Sequence, residues 1–316
     1  VTSDELVQES LKKSHEVQEK CNAFVTIIDD AKGTEVTDDL LSGIPYGIKD
    51  NYSTKGILST GSSNTLKDYV PFFTATAIEN LSKHGCIPVN KTAMDEFGMG
   101  GTGTTGHTGV QKNPWDTSRM CAGSSSGSAA AVAAGVYPFA TGSDTGDSIR
   151  KPAAFCGIVG YKPTYGMISR YGLFAFASSL DTCGVLTRSV EDAAIVVDAM
   201  KGIDPRDMTT WDSSKINLHD DLSKDVKGKK LFYIKEIVDK AAEVKEHGDL
   251  VDTIYIGGGT PSVVPVEYIE SVIDTIKKNY NVLENAEITI EVNPGTVDES
   301  KLEKYLEIGI NRLSIG

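Results

Sequence analysis

Two glycine-rich turns carry serines that could act as nucleophiles: Gly123-Ser124-Ser125-Ser126-Gly127-Ser128, and Gly142-Ser143-Asp144-Thr145-Gly146-Asp147-Ser148-Ile149-Arg150. Taken alone, either could cradle a phosphate or be a plain turn. A serine pushed into a site from such a turn would also leave neighbouring backbone N–H groups aimed at the oxygen of an acyl adduct, an oxyanion hole built without side chains. The hydroxyl would need a base, and none of the five histidines stands in an obvious Ser-His-Asp setting. A lysine can serve near neutrality only where its surroundings favour the neutral amine over its usual pKa of about 10.4. Lys49, closing the apolar run Gly43-Ile-Pro-Tyr-Gly-Ile-Lys49, is the candidate, although a lysine there is ordinarily solvated. His107 is expected to be packed or solvated. Asp144 and Arg150 are expected to fix the Ser148 turn by an ion pair or hydrogen bonds rather than to move protons.

The elements that must position these groups alternate along the chain. Thr2-x-x-Glu5 reads as a capping box for a helix to about Lys20. Strands follow at Ala23–Ile28, before Lys49 and at Cys86–Asn90, with helices at Thr76–His84 and Ala129–Gly135. The last helix is made of small residues able to pack closely. Gly98–Gly109 is too glycine-rich for a helix and reads as a flexible or ligand-facing loop. The polar stretch Asp204–Lys230 is read as the end of a first domain. Beyond it come strand Thr253–Ile256, helix Val266–Tyr280, strand Glu287–Val292, helix Glu299–Ile308 and strand Arg312–Ile315, which imply βαβ units and a parallel sheet. The fold class is α/β.

Composition narrows the function classes. With 316 residues, 40% of them apolar and 24% charged, the chain has the mix of a folded globular protein. No apolar run approaches the ~20 residues of a membrane span. A formal charge of −13 disfavours direct attraction to phosphate backbones, so a nucleic acid would need a partner or a local patch. Cys21, Cys86, Cys121, Cys156 and Cys183 are widely scattered and read as buried free thiols. The chain opens without Met and shows no export leader, so it is expected in the cytoplasm, with its true start missing.

Lys49, the Ser124 turn and the Asp-x-Gly-x-Ser-Ile-Arg turn ending at Arg150 together resemble the amidase-signature family over about residues 1–235. Met94-Asp-Glu-Phe97 with Met99-Gly100, Lys112-Asn-Pro-Trp-Asp116 and Ser169–Asp181 are similar to the A subunits of glutamyl-tRNA(Gln) amidotransferase. That resemblance implies a mixed sheet covered by helices and a Ser-Ser-Lys triad. In it Ser148 attacks the glutamine side-chain amide, Ser124 relays a proton between Ser148 and Lys49, and ammonia leaves. It implies an oxyanion hole from the N–H groups of Thr145, Gly146, Asp147 and Ser148, substrate contacts at Met99, Gly100 and Gly123, and a cis peptide at Ser124. It further implies no cofactor in the amidase part, partner B and C subunits, tRNA reached only through a partner, and ATP used by the complex. Three departures stand out: Asp147, Ser126 and Ala122 occupy positions where the family usually has Gly.

Residues 236–316 differ. Val251–Ser262, Glu287–Gly295 and Gly309–Gly316 resemble radical S-adenosylmethionine proteins related to oxygen-independent coproporphyrinogen oxidase, which implies a partial βα-barrel fragment. There the Gly257-Gly258-Gly259-Thr260 turn would approach the cofactor. No cysteine follows Cys183, so the three thiolates of a CxxxCxxC cluster loop are missing, and neither S-adenosylmethionine nor an iron-sulfur cluster is expected. The chain is expected to join two fragments near residues 232–247, with the amidase part C-terminally truncated. The alternative to an active amidase is therefore a catalytically inactive fusion of two truncated proteins.

Overall fold

A computed structural model describes residues 1–224, 250–256, 262, 264–292 and 296–315. The chain divides into two compact units, Val1–Lys224 and Asp225–Gly316. The expected junction near residues 232–247 and the Gly257–Thr260 turn lie outside the described residues, apart from the elements that flank them.

The first unit opens with α1 (Ser3–Cys21). The Thr2 hydroxyl accepts from Glu5 N–H and the Glu5 carboxylate accepts from Thr2 N–H, the reciprocal pair expected from their spacing. Val7, Leu11, Val17 and Cys21 then fall on one buried face. The remaining elements are β1 (Phe24–Ile27), β2 (Pro45–Lys49), α2 (Thr76–Lys83), β3 (Ile87–Thr92), α3 (Ser126–Ala133), β4 (Phe139–Asp144), α4 (Arg150–Cys156), β5 (Val159–Tyr161), β6 (Thr182–Thr187), α5 (Val190–Met200) and α6 (Leu218–Asp221). The strands form one mixed sheet in the order β1-β3-β2-β4-β6-β5. The central β2 is parallel to both β3 and β4, and the other pairings are antiparallel.

Apolar side chains fill both faces of this sheet, so β2, β4 and β6 are buried at every position instead of alternating. One core gathers Val7, Leu11, Ala129–Val132, Ile149 and Leu186. The other gathers Tyr46, Ile48, Ile78, Leu81, Phe139 and Val197, with the Tyr46 and Phe139 rings stacked at 5.1 Å. Close packing decides where α3 begins. It starts at Ser126 rather than Ala129, and a Cβ on Gly127 would lie 2.1 Å from the Ala23 carbonyl and 2.6 Å from Ala93 N. Tertiary contact thus overrides the weak helix propensity of Ser and Gly.

The first unit ends at Lys224, inside the polar stretch Asp204–Lys230, and residues 204–224 of that stretch are built into it. Asp204, Asp207 and Ser213 are buried. Asp204 accepts from Thr76, Ser169 and Arg206, while Asp207 accepts from Arg170 N–H and Thr209. Its polarity reflects the buried, hydrogen-bonded carboxylates of Asp204 and Asp207, which composition alone cannot separate from a solvated segment. All five cysteines are free and buried. Among the described residues no helix is long and apolar enough to cross a membrane.

The second unit contains β7 (Leu250–Ile256), α7 (Val266–Asn279), β8 (Asn281–Val292), α8 (Glu299–Glu307) and β9 (Arg312–Ile315). Its strands are all parallel in the order β7-β8-β9, the arrangement read from the alternating pattern. Ile254, Ile269, Ile273, Ile288, Ile290, Tyr305 and Ile310 form its core. Strand β8 starts six residues earlier than its apolar run suggests, because Asn281 and Val282 pair with Leu250 and Val251 ahead of a bulge.

Candidate active site

Strands β2 and β4 run side by side and parallel, so their C-terminal ends deliver Lys49 and Asp144 to the same edge of the sheet. Lys49 is fully buried. Its backbone N–H donates to the Thr141 hydroxyl at 2.9 Å, a side-chain bond where a strand would ordinarily use a carbonyl. Its Nζ lies 2.8 Å from Ser124 Oγ, 2.9 Å from Ser143 Oγ and 3.2 Å from the Ser143 carbonyl.

Burial drives Lys49 down from 10.5 to about 7, while the anionic fields of Asp144, Asp95 and Asp181 and the Cys183 thiol pull the other way. The neutral amine then has two N–H donors and one lone pair. The Ser143 carbonyl can only accept, and the Ser143 hydroxyl also accepts from Asn51 Nδ2 at 2.9 Å. Spending both N–H groups on Ser143 leaves the lone pair for the Ser124 hydroxyl proton. This is the hydrogen-bond assignment a general base requires.

A second buried lysine makes a useful contrast. Lys91 on β3 is also fully buried and held down to about 8, by burial against the pull of Asp50. Its Nζ meets Asp50 at 3.5 Å, the Tyr52 carbonyl at 2.9 Å and Ser59 Oγ at 2.5 Å, and it bonds neither Ser124 nor Ser148. Asp50 in turn accepts from Thr60 and Ser62 N–H groups. Lys91 is thus committed to holding the 50–62 segment.

Ser124 follows a cis peptide from Gly123, the geometry the resemblance implied. Its carbonyl accepts from Asp95 N–H at 3.2 Å. Ser148 is 6% exposed, and its carbonyl accepts from Ser125 N–H at 3.1 Å, which ties the two serine turns together. No hydrogen bond joins the Ser124 and Ser148 hydroxyls among the described residues. The Ser148 hydroxyl has no partner there.

The N–H groups of Thr145, Gly146, Asp147 and Ser148 likewise donate to no described residue. A Cβ built on Gly146 would meet nothing within 4 Å, so this turn faces open space. The turn is pinned from three sides. Asp144 accepts from Ile149 N–H at 2.9 Å and from Arg150 at 3.1 and 3.3 Å, and Arg150 also donates to the Gly146 carbonyl. Thr145 Oγ1 donates to Asp181 at 2.6 Å. The Asp147 carboxylate pairs with Lys151 at 3.6 Å.

The other two departures are also accommodated. Ser126 donates to Gln111 at 2.9 Å at the start of α3. Ala122 sits at φ 57, a left-handed conformation that explains why glycine is favoured there.

Gly98, at φ 76, passes over Ser124: a Cβ on it would lie 3.8 Å from Ser124 Oγ. Met99 and Gly100 therefore leave the site along its rim, with Met99 53% exposed. His107 is exposed and joins the site through no side-chain bond among the described residues. Sequence reasoning gave no role to Ser143, Asn51, Asp95 or Asp181. Only strand pairing reveals that Ser143 faces Lys49. Among the described residues no group of three or more His, Cys, Asp or Glu could hold a metal.

Residues 5–290 match the family described as Amidase. The chain is 49% identical over 246 residues to the A subunit of glutamyl-tRNA(Gln) amidotransferase from Oenococcus oeni, covering 75% of this chain and 50% of that protein. Its counterpart from Geobacillus kaustophilus is 46% identical over 254 residues, covering 77% and 52%. The chain thus spans about half the length of the curated relatives it matches. Among solved structures, the A subunit of glutamyl-tRNA(Gln) amidotransferase from Thermotoga maritima superposes with a TM-score of 0.69 at 39% identity, over 77% of this chain and 55% of that one. A peptide amidase of Stenotrophomonas maltophilia superposes with a TM-score of 0.62 at 25% identity, over 92% and 58%.

Proposed function

The chain belongs to the amidase family, and on that premise we propose that it cleaves a carboxamide with Ser148 as nucleophile, Ser124 as proton relay and Lys49 as base. The carrying observation is the fully buried Lys49 amine at 2.8 Å from Ser124 Oγ, with Ser143 accepting its other N–H groups. Ser148 Oγ attacks the amide carbon, and its proton passes through Ser124 to Lys49 Nζ. The oxyanion is received by the N–H groups of Thr145, Gly146, Asp147 and Ser148. Collapse returns the proton through Ser124 to the leaving nitrogen, releasing ammonia and an ester on Ser148. Water then hydrolyses the ester by the same relay.

Glutamine is the proposed amide, with Met99, Gly100 and Gly123 along its path. Relatives named as the A subunit of glutamyl-tRNA(Gln) amidotransferase support this choice. The ammonia would serve conversion of Glu-tRNA(Gln) to Gln-tRNA(Gln) in a cytoplasmic complex with B and C subunits, which would bring the tRNA and use ATP. Residues 236–316 are proposed to be a partial βα barrel of radical S-adenosylmethionine type, a reading supported by the parallel order β7-β8-β9. Gly257, Gly258, Gly259 and Thr260 would be vestigial there, and the chain would use no cofactor of its own.

The test is ammonia release from glutamine and from a simple amide, with Ser148→Ala and Lys49→Ala compared at matched circular dichroism. Loss of release in both variants is the expected result. A folded wild-type chain that releases no ammonia would return the inactive fusion instead.

A further inference from the structure

One carboxylate outside the Lys49–Ser124–Ser148 line organises the wall beside it. Asp95 is fully buried, yet makes no ion pair among the described residues. Its oxygens take the loop that follows. Oδ2 accepts from the N–H groups of Thr102 at 3.1 Å and Gly103 at 3.0 Å, and Oδ1 from those of Thr104 at 3.0 Å and Thr105 at 3.2 Å, with the Thr105 hydroxyl adding a bond at 3.0 Å. Successive amides around one anion form a nest, and here the anion is the chain's own.

The same residue is tied to the catalytic turn. Its N–H donates to the Ser124 carbonyl, and Gly123 N–H donates to the Gly101 carbonyl at 3.0 Å. A Cβ on Gly123 would lie 2.0 Å from Asp95 Oδ2, and one on Gly100 2.6 Å from Asp95 Cγ. Both glycines are therefore required by the carboxylate's position.

We infer that Asp95 is a positioning residue for amide cleavage: by filling the 102–105 nest it clamps the loop against Gly123 and holds the Ser124 hydroxyl at Lys49 Nζ. The inference rests on the proposed lysine–serine mechanism. Asp95 also faces Lys49 electrostatically, along with Asp144, Asp181 and the Cys183 thiol. Removing its charge makes Lys49 easier to deprotonate, an effect that a purely structural anchor far from the lysine would not have.

The experiment compares the whole chain with Asp95→Asn in steady-state ammonia release across pH. Asparagine keeps the shape and one acceptor oxygen but turns an NH2 group toward N–H donors. The expected result is a kcat/KM lower by roughly 100-fold, the cost of a misplacement of about 1 Å, with the acid limb of the pH profile moved to lower pH. Wild-type kcat/KM with an unmoved acid limb overturns the inference.

Lys49→Ala separates the two ideas. If release survives that change, or if the wild-type chain releases no ammonia, the lysine mechanism fails and this inference with it. If Lys49→Ala abolishes release while Asp95→Asn leaves rate and acid limb intact, only the role of Asp95 fails. Should Asp95→Asn not fold, hydrogen exchange on the wild-type chain decides. Thr102, Thr104 and Thr105 lie at or near the surface, so their amides exchange slowly only if the carboxylate holds them. Fast exchange at these three overturns the inference.

Discussion

Replacing Lys49 by Met should change how stability depends on pH, in a direction fixed by the burial of its amine. The folded chain holds this lysine at about 7 instead of 10.5, while the unfolded chain restores the ordinary value. Between those two pH values the unfolded state binds more protons at Lys49, so stability rises with pH. Below about pH 7 the full cost of burying the ammonium is present, about 5 kcal/mol at ~1.4 kcal/mol per pH unit. It fades as pH rises toward 10.5. Between pH 7 and 9 the wild-type chain should therefore gain about 2 kcal/mol relative to Lys49→Met. Lys91, also held low, titrates in both proteins and cancels in the difference. The assay is urea unfolding followed by tryptophan fluorescence, which reports on the first unit because Trp115 and Trp211, the chain's two tryptophans, both lie within Val1–Lys224. A difference between the two proteins that stays flat from pH 7 to 9 would refute the reasoning. It would mean that Lys49 keeps an ordinary pKa and is no base near neutrality.

Two further outcomes follow from packing and charge. Asp204→Asn should cost about 2–3 kcal/mol at pH 7. Burial raises the Asp204 carboxyl, but the bonds from Thr76, Arg206 and Ser169 outweigh it and hold it below the usual carboxylate range. Its contribution is thus present above about pH 4 and lost as pH falls further, so urea unfolding at pH 7 and pH 3 should show the penalty shrinking. A penalty independent of pH would contradict this. Gly127→Ala should destabilise the first unit by about 1–3 kcal/mol or more, because the new Cβ meets backbone atoms of Ala23 and Ala93 that cannot swing aside. An unchanged thermal midpoint would show that α3 can shift without cost.

Much of the positioning frame was legible locally. The Thr2–Glu5 box, the apolar run into Lys49 and the small-residue helix after Ser128 each announce an element from residues a few positions apart. The parallel order of the second unit followed from its alternation of strands and helices. What the sequence did not show shares a cause. Asp204 and Asp207 read only as polar residues near a domain end until Thr76, Ser169 and Arg170 are brought to them from distant segments. Ser143 looks like turn filler until β2 lies beside β4. Asp95 stands in a phrase whose type marks a subfamily, but nothing in the phrase says that its carboxylate binds four amides downstream. Carboxylates are spent on whatever donors the fold delivers, and that delivery is non-local.

The pairing of β2 with β4 has a consequence for how the chain acquires its chemistry. The two strands meet through a single register pair, Gly47 with Ala140, and everything between them must be made before that contact can close. Loop closure over so long a separation opposes the contact until β3, α3 and their cores reward it. Lys49 therefore leaves the ribosome long before Ser124 and Ser143 are there to bond its amine. Nascent or partly refolded chains would keep their lysine protonated in water, with both serines as ordinary hydroxyls. The buried surroundings of Lys49 would arrive in one step with the closing of the sheet's centre.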